Sequence, residues 1–182
     1  MNAKFKIISL AAALCAAMVA TPANAQEGEA VVYAESGDWT IYQRSEECYM
    51  IGRYGSDEET LSIFMNSLDR AVFWIQHSDW KSIRDNTSLD VKVEFDNFGE
   101  WDITAKGRSD VDGPGITWSG NIKPDENEDS FFGEFMAAKS MAISYRGRLV
   151  TRLSMEGTYN ASMDMGRCLA ETKAVNPDPF AN

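Results

Sequence analysis

Histidine, cysteine, basic residues and long apolar runs are all scarce in this chain of 182 residues, and each shortage closes off a class of function. His77 is the one histidine, so a metal centre built from several imidazoles is excluded. Three cysteines are present with no Cys-x-x-Cys pair, which removes the usual dithiol redox motif. There is no glycine-rich phosphate cradle; Gly113-Pro114-Gly115 reads as a turn. Strand and helix patterns do not alternate, which argues against a doubly wound nucleotide-binding sheet. The one long apolar run, Ile7 to Ala20, is too short to span a bilayer.

That run has the anatomy of an export signal. Lys4 and Lys6 give it a positive start, and Ala23-Asn24-Ala25 is the small-x-small site at which signal peptidase cuts. The expected mature chain begins at Gln26. Cys15 follows Leu14, where a lipoprotein signal needs a small residue, so it is expected to leave with the signal peptide. The short alanine-rich signal points to a bacterial periplasm.

Loss of Lys4 and Lys6 leaves 15 basic residues facing 28 acidic ones, a net charge of −13 with His77 neutral. Such a surface disfavours nucleic acid and anionic membrane surfaces, and suits solubility or a basic protein partner. Cleavage also leaves two cysteines, Cys48 and Cys168. In an oxidising compartment two remaining thiols pair. Their separation of 120 positions closes nearly the whole domain, a constraint of about 4–5 kcal/mol in the chain-entropy account.

Periodicity predicts a β-rich α+β domain. Trp39, Ile41 and Gln43 start the first expected strand, and Cys48 to Tyr54 forms the second. Leu61 to Met65 and Ala71 to His77 follow, then a short helical turn around Trp80 and Ile83. Leu89, Val91, Val93 and Phe95 alternate cleanly with charged residues, the signature of a half-buried strand. Trp101 to Ala105, Ile116 to Trp118, Met141 to Tyr145 and Leu149 to Leu153 complete the strands. Asp129 or Ser130 caps a first helix carrying Phe131, Phe132, Phe135 and Met136. Gly157-Thr158 opens a second, with Ala161, Met165, Cys168 and Leu169 on one face, turned toward the strand that holds Cys48.

The expected architecture is therefore an antiparallel sheet or sandwich of about eight or nine short strands with two late helices packed on it. The expected organisation is a signal peptide over 1–25, a flexible acidic segment over 26–37, one disulfide-stapled domain over 38–170 and a flexible tail over 171–182.

Candidate chemistry is thin. Ser78 and Asp79 follow His77, but neighbours on an extended chain point to opposite faces and do not form a triad. The run Asp125-Glu126-Asn127-Glu128-Asp129 opens like a calcium loop. It then offers Ser130 and Met136 where that loop needs Gly and Glu, so a solvated acidic loop is favoured over a weak Ca²⁺ site. Asn86-Thr87-Ser88 and Asn160-Ala161-Ser162 match glycosylation triplets, which are common by chance. Trp39, Trp74, Trp80, Trp101 and Trp118 either fill the core or form an exposed ledge for a glycan or partner, and the core is favoured. No catalytic, cofactor or metal residue is expected; Cys48 and Cys168 are the site residues named, as a staple.

The C-terminal third carries Met141-Ala142-Ile143-Ser144-Tyr145, a turn, then Arg152-Leu153-Ser154-Met155-Glu156-Gly157-Thr158-Tyr159-Asn160-Ala161. This resembles the ending of the invasion-associated locus B family of exported bacterial proteins, with Leu153, Ser154, Gly157 and Ala161 matching its pattern. The Trp39 strand with Cys48 soon after resembles that family's start. The further cysteines often present in the family's middle are missing here. The resemblance implies a non-enzymatic envelope protein associated with host-cell invasion. The expected function is accordingly a periplasmic binding or accessory protein with a protein partner. The alternative is an acidic inhibitor of a basic lysozyme-like hydrolase, and a small hydrolase using His77 or a buried acidic pair stands third.

Overall fold

The computed structural model describes residues 29–45, 47–55, 59–65, 70–110, 113–121 and 130–175. Among them lie ten strands and two helices. The strands are β1 (Val31–Ser36), β2 (Trp39–Arg44), β3 (Glu47–Tyr54), β4 (Glu59–Met65), β5 (Arg70–His77), β6 (Ser88–Phe95), β7 (Glu100–Asp110), β8 (Gly113–Asn121), β9 (Ser140–Tyr145) and β10 (Arg148–Ser154). The helices are α1 (Phe131–Ala137), between β8 and β9, and α2 (Thr158–Val175) at the end.

The strands form one antiparallel sheet in the order β1-β2-β3-β4-β5-β8-β7-β6-β9-β10. The expected β-rich α+β class is what the chain adopts, as a single sheet rather than a sandwich. The sheet coils so far that its ends approach each other. The Thr151 hydroxyl on β10 donates to Oε2 of Glu59 on β4, six strands away in the order, at 2.9 Å. The Ser36 hydroxyl, in the β1–β2 hairpin, donates to the carbonyl of Gly157 at 3.4 Å, just past β10.

Alternation assigns one residue in two to the concave face. One cross-strand row runs Ile41, Met50, Ile63, Phe73, Trp118, all buried. Val93, Ile143 and Phe95, Met141 continue the lining on the far side. α1 fills the concavity between the two sides. Phe135 lies 5.9 Å from Trp39, 5.6 Å from Phe73 and 6.4 Å from Phe95, ring centre to ring centre, and fully buried. The Ser130 side chain caps α1 by accepting from the Gly133 N–H at 3.0 Å, which chooses between the two expected caps.

α2 packs on β1, β2 and β3. Its buried face is Ala161, Met165, Cys168 and Leu169, as the spacing predicts. The disulfide between Cys48 and Cys168 is formed, with Cα atoms 6.2 Å apart. Gly157 precedes the helix at φ 81°, and a side chain there would meet the Ser36 carbonyl oxygen at 2.6 Å. Leu153, Gly157 and Ala161, three positions of the family resemblance, therefore sit where β10 hands over to α2.

Four expectations need correction. Residues 31–36, expected to be loose, form the tenth strand, β1. It gains a ladder with β2 and rests Tyr33 and Ala34 on the core, while Val31 and Val32 stay exposed and hide the alternation. The expected tail begins too early, because α2 continues to Val175, with Thr172 buried and its hydroxyl donating to the Cys168 carbonyl at 2.6 Å. Gly113-Pro114-Gly115 is not a free turn but the start of β8. Pro114 faces Ser109 near the end of the ladder, where a missing N–H is tolerated. The segment around Trp80 is a pair of turns rather than a helical one, closed by Trp80 N–H to the His77 carbonyl at 3.1 Å and Ile83 N–H to the Trp80 carbonyl at 3.0 Å.

Candidate functional site

At the end of the sheet opposite α1 the concavity is not filled. A cavity of about 430 Å³ opens there, within the usual range for small-molecule sites. Its floor and walls are apolar: Leu89 and Val91 from β6, Ile116 from β8, Ile143 and Tyr145 from β9, and Val150 from β10. Trp80 and Ile83 close one side from the 78–87 segment, and Asp79, Ser82, Arg84 and Thr87 supply the polar part of the lining.

The 78–87 segment is held in place by the sheet. The Gly107 N–H donates to the Thr87 carbonyl at 2.8 Å, and the Asn86 N–H donates to the Gly107 carbonyl at 2.9 Å. The Asp85 carboxylate accepts from the Ser109 N–H. Asn86 takes φ 59°, a conformation asparagine tolerates better than most residues. Trp80 stacks on His77 at 5.7 Å. The wall is thus a fixed part of the site.

His77 is the last residue of β5 and is half-buried. Cross-strand pairing brings it opposite Glu59, which in turn faces Tyr54, so all three share a face. Sequence reasoning missed this row, because the partners lie on three strands. No hydrogen bond links the three side chains. Nδ1 of His77 accepts from the Asp79 N–H at 3.1 Å, while Glu59 Oε2 is taken by Thr151. Ser78 is exposed in the turn beyond the strand. Burial, with help from the nearby Asp38 and Glu59 carboxylates, pushes the Tyr54 hydroxyl well above its ordinary pKa of 10.0, so it stays protonated.

The cysteines are brought together, both fully inside, and act as the expected staple. Trp39, Trp74 and Trp118 are buried, with Trp74 lying under the Arg108 guanidinium at 4.6 Å; Trp80 and Trp101 are half-buried against the core. The tryptophans therefore form no exposed ledge. The acidic run Asp125 to Asp129 lies outside the described residues. Among the described residues no group of three or more His, Cys, Asp and Glu side chains converges as a metal site, and no helix is long and apolar enough to cross a membrane.

The outer face of β6 and β7 is wet and acidic. Asp90, Glu94, Glu100 and Asp102 line it, with Lys92 bridging Glu100 at 2.6 Å and Asp102 at 3.7 Å. No protein-family model, no curated protein and no solved structure matches the chain.

Proposed function

We propose that this is a non-enzymatic binding protein of the bacterial envelope, exported to the periplasm by cleavage after Ala25, and that it takes a small apolar ligand in the cavity between Trp80 and Tyr145. The single observation that carries the reading is that cavity: an apolar chamber at the open end of a coiled sheet, with a wall fixed by backbone hydrogen bonds. The disulfide is compatible with an oxidising compartment. The resemblance to invasion-associated locus B proteins supports an envelope role.

The test is a titration of the exported, oxidised protein with phenylnaphthylamine, an uncharged probe that fluoresces in apolar surroundings. Saturable binding is expected. Val150 is partly exposed at an irregularity of β10 and lines the cavity, so Val150→Trp should block the probe while leaving the circular dichroism unchanged. A rise that does not saturate, or equal binding by Val150→Trp, would exclude the reading.

The acidic face of β6 and β7 favours a second reading, an inhibitor of a basic hydrolase, since four carboxylates on one face would steer a cationic partner. Inhibition of a basic lysozyme that weakens in the double variant Glu94→Gln/Asp102→Asn would support it; no inhibition at all would remove it.

A further inference from the structure

Three arginines stand in or beside the cavity lining of an otherwise acidic chain. Arg84 is part of that lining. Arg146, in the β9–β10 turn, holds its guanidinium over the ring of Tyr145 at 5.0 Å, and that ring lines the cavity. Arg148 stands opposite Tyr145 in the β9–β10 ladder, on the same face, and is exposed. None of the three makes an ion pair with a carboxylate among the described residues. Asp79 shares the lining with Arg84, while Arg146 also borders the outer surface that carries Asp90 and Asp102. In a chain with 28 acidic residues against 17 basic ones, Arg84 in the lining and Arg146 and Arg148 about Tyr145 bring three guanidinium groups to this end of the sheet.

We propose that the ligand is a single-chain amphiphile with an anionic head: the acyl or alkyl chain enters the chamber lined by Leu89, Val91, Ile116 and Ile143, and the head stays at the lip with Arg84, Arg146 and Arg148. This rests on the cavity-binding reading above and adds the ligand's class to it. The chain supplies the apolar area that leaves water. The head meets planar donors suited to carboxylate and phosphate alike. The acidic exterior meanwhile disfavours docking on an anionic bilayer, so the chemistry fits a single molecule drawn into the protein rather than a membrane surface.

The experiment displaces bound phenylnaphthylamine with four ligands of one chain length: decanoate, decyl phosphate, decanol and decyltrimethylammonium. One of the two anions should displace the probe at about one-tenth of the decanol concentration, the equivalent of one charge-assisted contact. Preference for decanoate identifies a free fatty acid, and preference for decyl phosphate a lipid phosphate. The double variant Arg146→Gln/Arg148→Gln alters exposed side chains that do not line the cavity. It should bind the probe as before and bring the anions down to the level of decanol. If the probe binds but the anions compete no better than decanol, or decyltrimethylammonium competes best, the charge assignment is wrong and the cavity reading stands. An arginine variant that keeps the full anion preference would also overturn the assignment. If neither the probe nor any of the four ligands binds, both fall.

Discussion

Gly107 on β7 lies so close to the carbonyl oxygen of Arg84 that no side chain fits between them, and the Ile83 side chain crowds the same point. The wall of the cavity is seated on this bare stretch of backbone. Gly107→Ala should push the 78–87 segment off the sheet and strain the two hydrogen bonds that join it to Gly107. We expect weaker phenylnaphthylamine binding together with a lower melting temperature, read by fluorescence titration and thermal unfolding. An alanine variant with wild-type affinity and stability would show that the wall is not seated there.

Phe135 stands at the centre of the concave core, in contact with rings from both sides of the sheet. Phe135→Ala should cost about 3–5 kcal/mol, the range for a large side chain removed from a packed interior. Urea unfolding checks this. A loss under about 1 kcal/mol would mean that the two sides pack without α1 between them.

Cys48 and Cys168 tie β3 to α2 across a separation of 120 positions. Replacing both with Ala should lower stability by about 4–5 kcal/mol, chiefly by freeing the unfolded chain. Far-UV circular dichroism during urea unfolding, with and without reductant on the wild type, separates loss of the bond from loss of the thiols. Equal midpoints in oxidised and reduced protein would contradict the role of a staple.

Asp96 clamps the turn from α1 into β9. Its Oδ1 accepts from the N–H groups of Lys139 at 2.6 Å and Ser140 at 2.7 Å. The Ser140 N–H is the largest of the influences that hold the carboxyl below its ordinary value of 3.8; the group's modest desolvation acts the other way. A carboxyl with a depressed folded-state pKa stabilises the fold above its unfolded value and loses that contribution as pH falls through the folded one. The gap in melting temperature between wild type and Asp96→Ala should be constant above about pH 5 and close below the ordinary carboxylate value. A gap that widens on acidification would contradict the clamp.

Much of the sheet was legible because one face is buried and the other wet. Leu89, Val91, Val93 and Phe95 alternate for that reason, and the stripe ending in Cys168 and Leu169 marks the buried side of α2. β1 was hidden because it is an edge strand, with Val31 and Val32 in water. The start of β8 was hidden because Gly-Pro-Gly reads as a turn wherever no partner strand is known. Here β7 supplies the partner. The cavity was illegible for a different reason. Its lining comes from four strands and one connecting segment, and the space exists only because the sheet coils and α1 fills the other end. The arginines in and beside the lining were equally invisible as a group, since Arg84 and Arg146 are far apart in a chain whose overall charge points the other way.

Trp80 is the one tryptophan in the cavity lining, which allows the binding site to be read directly. The measurement is quenching of tryptophan fluorescence by decanoate brominated at the end of its chain, compared between wild type and Trp80→Phe. The account predicts saturable quenching of a fraction of the wild-type signal, displaced by unlabelled decanoate and absent in Trp80→Phe, whose remaining four tryptophans keep their emission. Saturable quenching of the same size in Trp80→Phe would place the ligand elsewhere, and quenching that never saturates in the wild type would show that the cavity holds no ligand of this kind.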